Sequence, residues 1–179
     1  MNKKIGIDKN VVNNSQPLAH LNNLYSIRRC TVHDLEGVIA VNERELPEDY
    51  PYFFYKNILD NFGDAFLVAV SPSNEIIGYI MWRVEKTPSL NSLRLIHKGH
   101  LVSIAVDSHH RRKGIATALL TYSMPIIKKY NISEYVLEVR VSNQPAINLY
   151  KKFNFQVHSI KKCYYRDGEN AYYMIKKVS

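Results

Sequence analysis

No apolar run in the 179 residues approaches the ~20 that a membrane-crossing helix needs, so no membrane partner is expected. Cysteine is scarce: Cys30 and Cys163 stand alone, with neither CxxC nor zinc-ligand spacing. That excludes a disulfide scaffold and a structural zinc site, and it fits a reducing, cytoplasmic setting. No apolar h-region follows Met1-Asn2-Lys3-Lys4, so no secretory signal is expected. Residues 1–24 lack helical or strand periodicity and are rich in asparagine (Asn2, Asn10, Asn13, Asn14, Asn22, Asn23). They read as a flexible N-terminal extension ahead of one domain over 25–179. No internal repeat is visible. What the chain does have, 46% hydrophobic residues at this length, suffices for one α/β domain with a proper core.

Acidic residues are in deficit, 16 against 24 Lys and Arg, for a formal net charge of +8. Nucleic acid is the generic partner of such a chain. Here, however, the basic residues come as scattered pairs (Lys128-Lys129, Lys151-Lys152, Lys161-Lys162, Lys176-Lys177) rather than one stripe, so no specific nucleic acid is expected. Arg111-Arg112-Lys113 differs, because it leads into a glycine and a helix.

The hydrophobic pattern alternates between strand and helix periods. Tyr25 to Cys30 reads as a strand, and Thr31 with Asp34 as a capping box opening a helix to Glu45. Pro47 and Pro51 break that helix, and a second follows from Tyr52 to Asn61. Ala65 to Val70 and Glu75 to Val84 form a hairpin across Ser71-Pro72-Ser73-Asn74, and Thr87 to Lys98 reads as a polar connection. Then come strand Gly99 to Val106, helix Gly114 to Lys129, strand Glu134 to Val141 and helix Pro145 to Lys152. Two strands, Phe155 to Tyr165 and Asn170 to Val178, close the chain through Asp167-Gly168. The order implies one mixed sheet with helices on both faces.

The strongest signal runs from Val102 to Ala116. A fully apolar strand ends, a polar turn follows, and Gly114 and Ala116 open a helix whose first N–H groups have no intrahelical partner. With the helix dipole these form an anion site; the alternative is an ordinary strand-to-helix turn with surface arginines.

Arg111-x-x-Gly114-x-Ala116 resembles the Q/R-x-x-G-x-G/A pyrophosphate loop of the GNAT superfamily of N-acetyltransferases. The resemblance spans Tyr25 to Val178 and narrows to the NatA-type catalytic subunits and their archaeal relatives, the protein N-terminal acetyltransferases. It is carried by Leu46-Pro47-Glu48-x-Tyr50, Lys98-Gly99-His100-x-Val102-Ser103-Ile104-Ala105-Val106, Leu137 to Asn143, Pro145-Ala146-x-x-Leu149-Tyr150, and Tyr164-Tyr165-x-Asp167-Gly168-Glu169-x-Ala171. It implies the GNAT fold: a single mixed, largely antiparallel sheet of about seven strands flanked by about four helices, with a parallel splay between the fourth and fifth strands. It implies acetyl-CoA as co-substrate. Ile104, Ala105 and Val106 would pair with the pantetheine arm, and Arg111, Arg112, Lys113, Gly114, Ile115, Ala116 and Thr117 would cradle the pyrophosphate. Asn143, Tyr150, Lys151 and Lys152 would add contacts to the cofactor. Where relatives often have Leu-Gly-Phe this chain has Phe153-Asn154-Phe155, and asparagine is the next-best residue for a left-handed helix end.

For the chemistry, Tyr150 would protonate the leaving thiolate, or else serve only as a core tyrosine. His100 and Glu138 interrupt apolar strands and are candidates for a base acting through water; Glu138 and Arg140 share a face, so a structural ion pair is the other reading. The same His100 and Glu138 could hold zinc opportunistically, although two protein ligands make a poor dedicated site. By resemblance Leu46, Pro47, Glu48 and Tyr50 form one wall of a peptide slot, with Glu48 facing the substrate's first residue as a further catalytic candidate that could hold the amine or accept its proton, and Tyr164 and Tyr165 form the other. Neither cysteine has an activating histidine at readable spacing, so direct transfer in a ternary complex is expected, without an acyl-enzyme. The expected activity is acetylation of free protein N-termini, with the ribosome as a transient partner. Acetylation of lysines or small amines, and a non-catalytic acetyl-CoA-binding module, are the alternatives.

Overall fold

The computed structural model describes residues 16–21, 24–89 and 92–178. One sheet organises them, with strand order β1-β2-β3-β4-β5-β6-β8-β7. Its strands are β1 (Ala19–Leu21), β2 (Tyr25–Arg29), β3 (Leu67–Val70), β4 (Ile76–Ser89), β5 (Ser92–Val106), β6 (Glu134–Arg140), β7 (Gln156–Lys161) and β8 (Ala171–Lys177). The helices are α1 (Leu35–Glu45), α2 (Tyr52–Phe62), α3 (Ile115–Lys128) and α4 (Gln144–Lys152). All strand pairs are antiparallel except β5 with β6. These two are the fourth and fifth of the expected strands, so the parallel pair stands where it was expected.

Alternation along the central strands divides the core in two. On β3, Leu67 and Ala69 face the α3 and α4 side while Val68 and Val70 face α1 and α2, and all four are buried. On β4, Ile80 and Trp82 share the first side, Tyr79 and Met81 the second. Trp82 is fully buried because its indole N–H finds an acceptor, the Ser123 hydroxyl at 2.9 Å. At the head of α1 the Asp34 carboxylate accepts from the Thr31 backbone N–H at 2.8 Å and from both terminal nitrogens of Arg28. This cap seats a single 3-10 turn, Val32–Asp34, before the α-helix begins.

Three elements differ from expectation. Residues 19–21 of the presumed extension pair with β2, Ala19 opposite Ile27, which makes the sheet eight-stranded; residues 1–15, 22 and 23 lie outside the described residues. The expected connection from Thr87 to Lys98 is instead the outer half of a long β4–β5 hairpin, with Thr87 opposite Ile96 and Glu85 opposite Lys98. A two-stranded ribbon has little to bury, so its sequence reads as polar loop. Finally β7 stops at Lys161, which leaves Tyr164 and Tyr165 on the connection to β8 rather than on a strand. A tight turn there bonds Gly168 N–H to the Tyr165 carbonyl at 2.8 Å, and Gly168 takes φ +85°. At the end of α4, Asn154 adopts φ +65° in place of glycine. Among the described residues no helix is long and apolar enough to cross a membrane.

Candidate active site

The parallel pair is brief. Lys98, Gly99 and His100 pair with Glu134, Tyr135 and Val136, and from Leu101 to Val106 the backbone of β5 is paired on the β4 side alone. The open edge thus includes Ile104, Ala105 and Val106, and it leads into the turn before α3. Arg112 and Gly114 both have positive φ, +64° and +80°. Among the described residues the backbone N–H groups of residues 112–117 have no acceptor, since the first helical bond is Ala118 N–H to the Gly114 carbonyl. The Tyr25 hydroxyl braces the turn from outside, on the Lys113 carbonyl at 3.3 Å. A curved run of free donors at a helix N-terminus beside an open strand edge fits a ligand carrying phosphates and an amide-bearing arm.

Not every expected cofactor residue points at this cradle. The Arg111 guanidinium is bound to Glu45 at the end of α1, and its Nε donates to the Val106 carbonyl at 3.2 Å. Asn143 caps α4, its side-chain oxygen accepting from Ala146 N–H at 3.2 Å. Lys151 and Lys152 are exposed in the last turn of that helix. Tyr150 is buried edge-on to Phe155 at 6.0 Å, and burial holds its phenol above the usual range, so it stays protonated. Among the described residues its hydroxyl has no hydrogen-bond partner.

Where β5 and β6 part, a line of charges crosses the sheet. His100 lies between two carboxylates: its Nε2 meets Glu138 at 2.6 Å and its Nδ1 meets Glu85 at 2.7 Å. Two carboxylates at these distances favour the doubly protonated imidazolium, against Arg83, whose terminal nitrogen also lies 3.2 Å from Nδ1. Burial alone would lower the histidine's pKa, but the bonds to Glu138 and Glu85 outweigh it and raise it above the ordinary 6.5. Burial likewise opposes the charge on Glu138, yet His100 and then Lys161 hold it below the ordinary range. Lys161 reaches the second Glu138 oxygen at 2.5 Å from the far edge of the sheet, crossing the Tyr173 ring at 4.6 Å. Glu85 drops to about 2, first through its bond from His100, with Arg83 assisting at 2.5 Å.

This arrangement does not fit a zinc ion. With its two ring nitrogens turned to Glu85 and Glu138, His100 offers no lone pair to a metal. Among the described residues no group of three or more His, Cys, Asp or Glu could hold a metal. The charge line has a stability signature instead. The carboxylates' contribution is present above pH ~4.5 and is lost as pH falls towards 2; that of His100 is lost as pH rises through its raised pKa. The Tm difference between wild type and His100→Gln should therefore be greatest from about pH 5 to 7 and shrink on both sides. A difference constant from pH 3 to 9 would contradict the imidazolium.

Two walls stand beside this line. In the α1–α2 connection, Tyr50 stacks on Phe54 at 4.7 Å and meets Tyr55 edge-on at 5.9 Å. Opposite, Tyr164 and Tyr165 pack edge to face at 5.1 Å. The Tyr164 phenol is pushed up to about 12 by burial and then by the nearby Glu138 and Tyr50. Arg140 ties the walls together. One terminal nitrogen bonds Glu48 at 2.5 Å, the other bonds Asp167 and Glu169 at 2.7 Å each, and the guanidinium lies 4.0 Å over the Tyr165 ring. Glu138 and Arg140 do not pair with each other; each has found other partners.

Four charged residues of the site went unassigned in the sequence: Arg83, Glu85, Arg140 as a clamp, and Lys161. Arg83 and Glu85 alternate with buried Trp82 and half-buried Val84, a period-2 signal that places both on one face. Lys161 had no local signal, since its partner lies two strands away.

The sequence model described as "Acetyltransferase (GNAT) family" matches residues 24–155. The chain belongs to the GNAT family of acetyltransferases. The GNAT match takes in the cradle, His100 and Glu138 and ends before the second wall. An N-alpha-acetyltransferase of Saccharolobus solfataricus is 46% identical over 162 residues, covering 86% of this chain and 93% of that protein. The catalytic subunit NAA10 of the Arabidopsis thaliana N-terminal acetyltransferase A complex is 35% identical, over 85% of this chain and 77% of its own. Among solved GNAT structures, Ard1 from Thermoplasma volcanium superposes with TM-score 0.75 at 26% identity, over 87% of this chain and 99% of its own.

Proposed function

We propose that this protein transfers the acetyl group of acetyl-CoA to the free α-amine of protein N-termini, by direct attack in a ternary complex. The observation that carries the reading is the Arg140 junction. It ties the Glu48 wall to the Tyr165 turn, favouring entry of a chain end over a lysine in mid-chain. The names of the N-alpha-acetyltransferase relatives support it.

Acetyl-CoA supplies the activated acyl group; the unpaired N–H groups of residues 112–117 would hold its phosphates, and the open edge of β5 its arm. The substrate amine, with pKa ~7.7–8.0, is partly neutral at physiological pH. Glu138 is the base in reach of the slot, acting through one water, because His100 already carries its proton. His100 is then the group that orients and charges Glu138. Glu48, held in place by Arg140, shapes the first-residue site. Tyr150 stays protonated and would meet the leaving thiolate as a hydrogen-bond donor; the burial that keeps its proton on also makes it a weak acid, so the role rests on its place beside the cofactor and not on its acidity. The same reading places the protein in the cytoplasm, working on nascent chains.

A panel of peptides with free N-termini, blocked N-termini and internal lysines tests this with purified protein and acetyl-CoA. Label is expected on free termini only. Labelling of blocked peptides at lysine would overturn the assignment.

A further inference from the structure

Beneath the Glu48 wall lies a polar chain for which the reaction has no use. Asn42, Tyr79 and Ser103 are buried on the α1 and α2 side of the sheet, at 0%, 0% and 8% exposure. The Tyr79 hydroxyl donates to Asn42 Oδ1 at 2.5 Å and lies 2.7 Å from the Ser103 hydroxyl. A phenol has one hydrogen, so Ser103 is the donor to Tyr79. Asn42 Nδ2 then donates to the Glu48 carbonyl at 2.7 Å. The chain therefore runs from β5, one residue before Ile104 of the open edge, to the main chain of the peptide wall.

Little else holds that wall's backbone. The α1–α2 connection is bonded at its ends, Leu46 N–H to the Asn42 carbonyl and Phe54 N–H to the Pro51 carbonyl, each at 2.9 Å. Pro47 and Pro51 offer no N–H of their own. Arg140 holds only the Glu48 side chain. An apolar trio would fill the same volume without the cost of desolvating three polar groups, so packing alone does not account for these residues.

We propose that Asn42, Tyr79 and Ser103 are positioning residues that fix the Glu48 loop relative to β5 and so set the peptide slot. This rests on the reading of that loop as the peptide wall. Tyr79→Phe removes the donor to Asn42 and leaves Ser103 with a poorer partner. It should raise the peptide KM roughly 5- to 30-fold while acetyl-CoA binding, measured by calorimetry without peptide, stays within about twofold. Ser103→Ala breaks only the last link and should give a smaller rise in the same direction; Ser103→Thr keeps the hydroxyl and should restore the wild-type KM. Should Tyr79→Phe fail to bind acetyl-CoA as a folded protein, Ser103→Ala against Ser103→Thr carries the same readout. Peptide KM unmoved in folded variants, or raised equally by alanine and threonine at 103, overturns the positioning role alone. Wild type inactive on every free-terminus peptide overturns the functional reading and this inference with it.

Discussion

Glu138→Gln is expected to lower kcat by roughly 10²- to 10⁴-fold with little change in either KM. The carboxylate side chain is 7% exposed and held on one oxygen by His100 and on the other by Lys161. Glutamine keeps the shape and can still bond Lys161 through its oxygen, but it cannot take a proton. A depressed pKa makes Glu138 a weak base for a free ammonium ion. It is adequate for the later proton, because an amine becomes far more acidic as its nitrogen bonds to the acetyl carbon. The rise of kcat/KM with pH should therefore follow the peptide amine near pH ~8 rather than the carboxylate. His100→Gln should cost less than Glu138→Gln, since it removes the partner and not the acceptor. Loss of under about tenfold in Glu138→Gln would exclude the carboxylate as base.

The parts legible in the sequence are those written in contiguous residues. The run from Val102 to Ala116 states a strand, a turn and a helix start in one reading. The open edge of β5 and the free N–H groups of residues 112–117 then follow from backbone geometry. His100 and Glu138 were visible because a charge within an apolar strand needs a partner, and each proved to be the other's. What the sequence could not show is what depends on crossing strands. The clamp at Arg140 collects Glu48 from 92 positions away and Glu169 from 29, on two different connections. The Asn42–Tyr79–Ser103 chain joins α1, β4 and β5, and each of its members alone reads as an ordinary helix or strand residue. The outer β4–β5 hairpin was hidden for a simpler reason: Pro88, Ser89, Asn91 and Ser92 read as a turn-rich connection, and the alternation at Leu93-Arg94-Leu95 is too short to mark a strand.

Gly114→Val should raise the KM for acetyl-CoA more than about tenfold, with the peptide KM at saturating cofactor little changed. Space is not what forbids the side chain. A Cβ at Gly114 would have the Tyr25 hydroxyl as its nearest neighbour at 3.6 Å, an ordinary contact. The difficulty is conformational: Gly114 has φ +80°, where a β-branched residue is strained by about 1–3 kcal/mol. In a chain of this size that would lower Tm by roughly 2–4 °C per kcal/mol, a shift that a melting curve reads separately from the kinetics. Relief of the strain must come from rotating the turn, and the donors of residues 112–117 rotate with it. An anion held by several converging N–H groups loses all of those contacts together, so the effect on the cofactor exceeds the effect on the fold. Equal increases in both KM values would mean that the turn serves the whole site rather than the cofactor, and a Tm fall without a change in either would reduce Gly114 to a helix start.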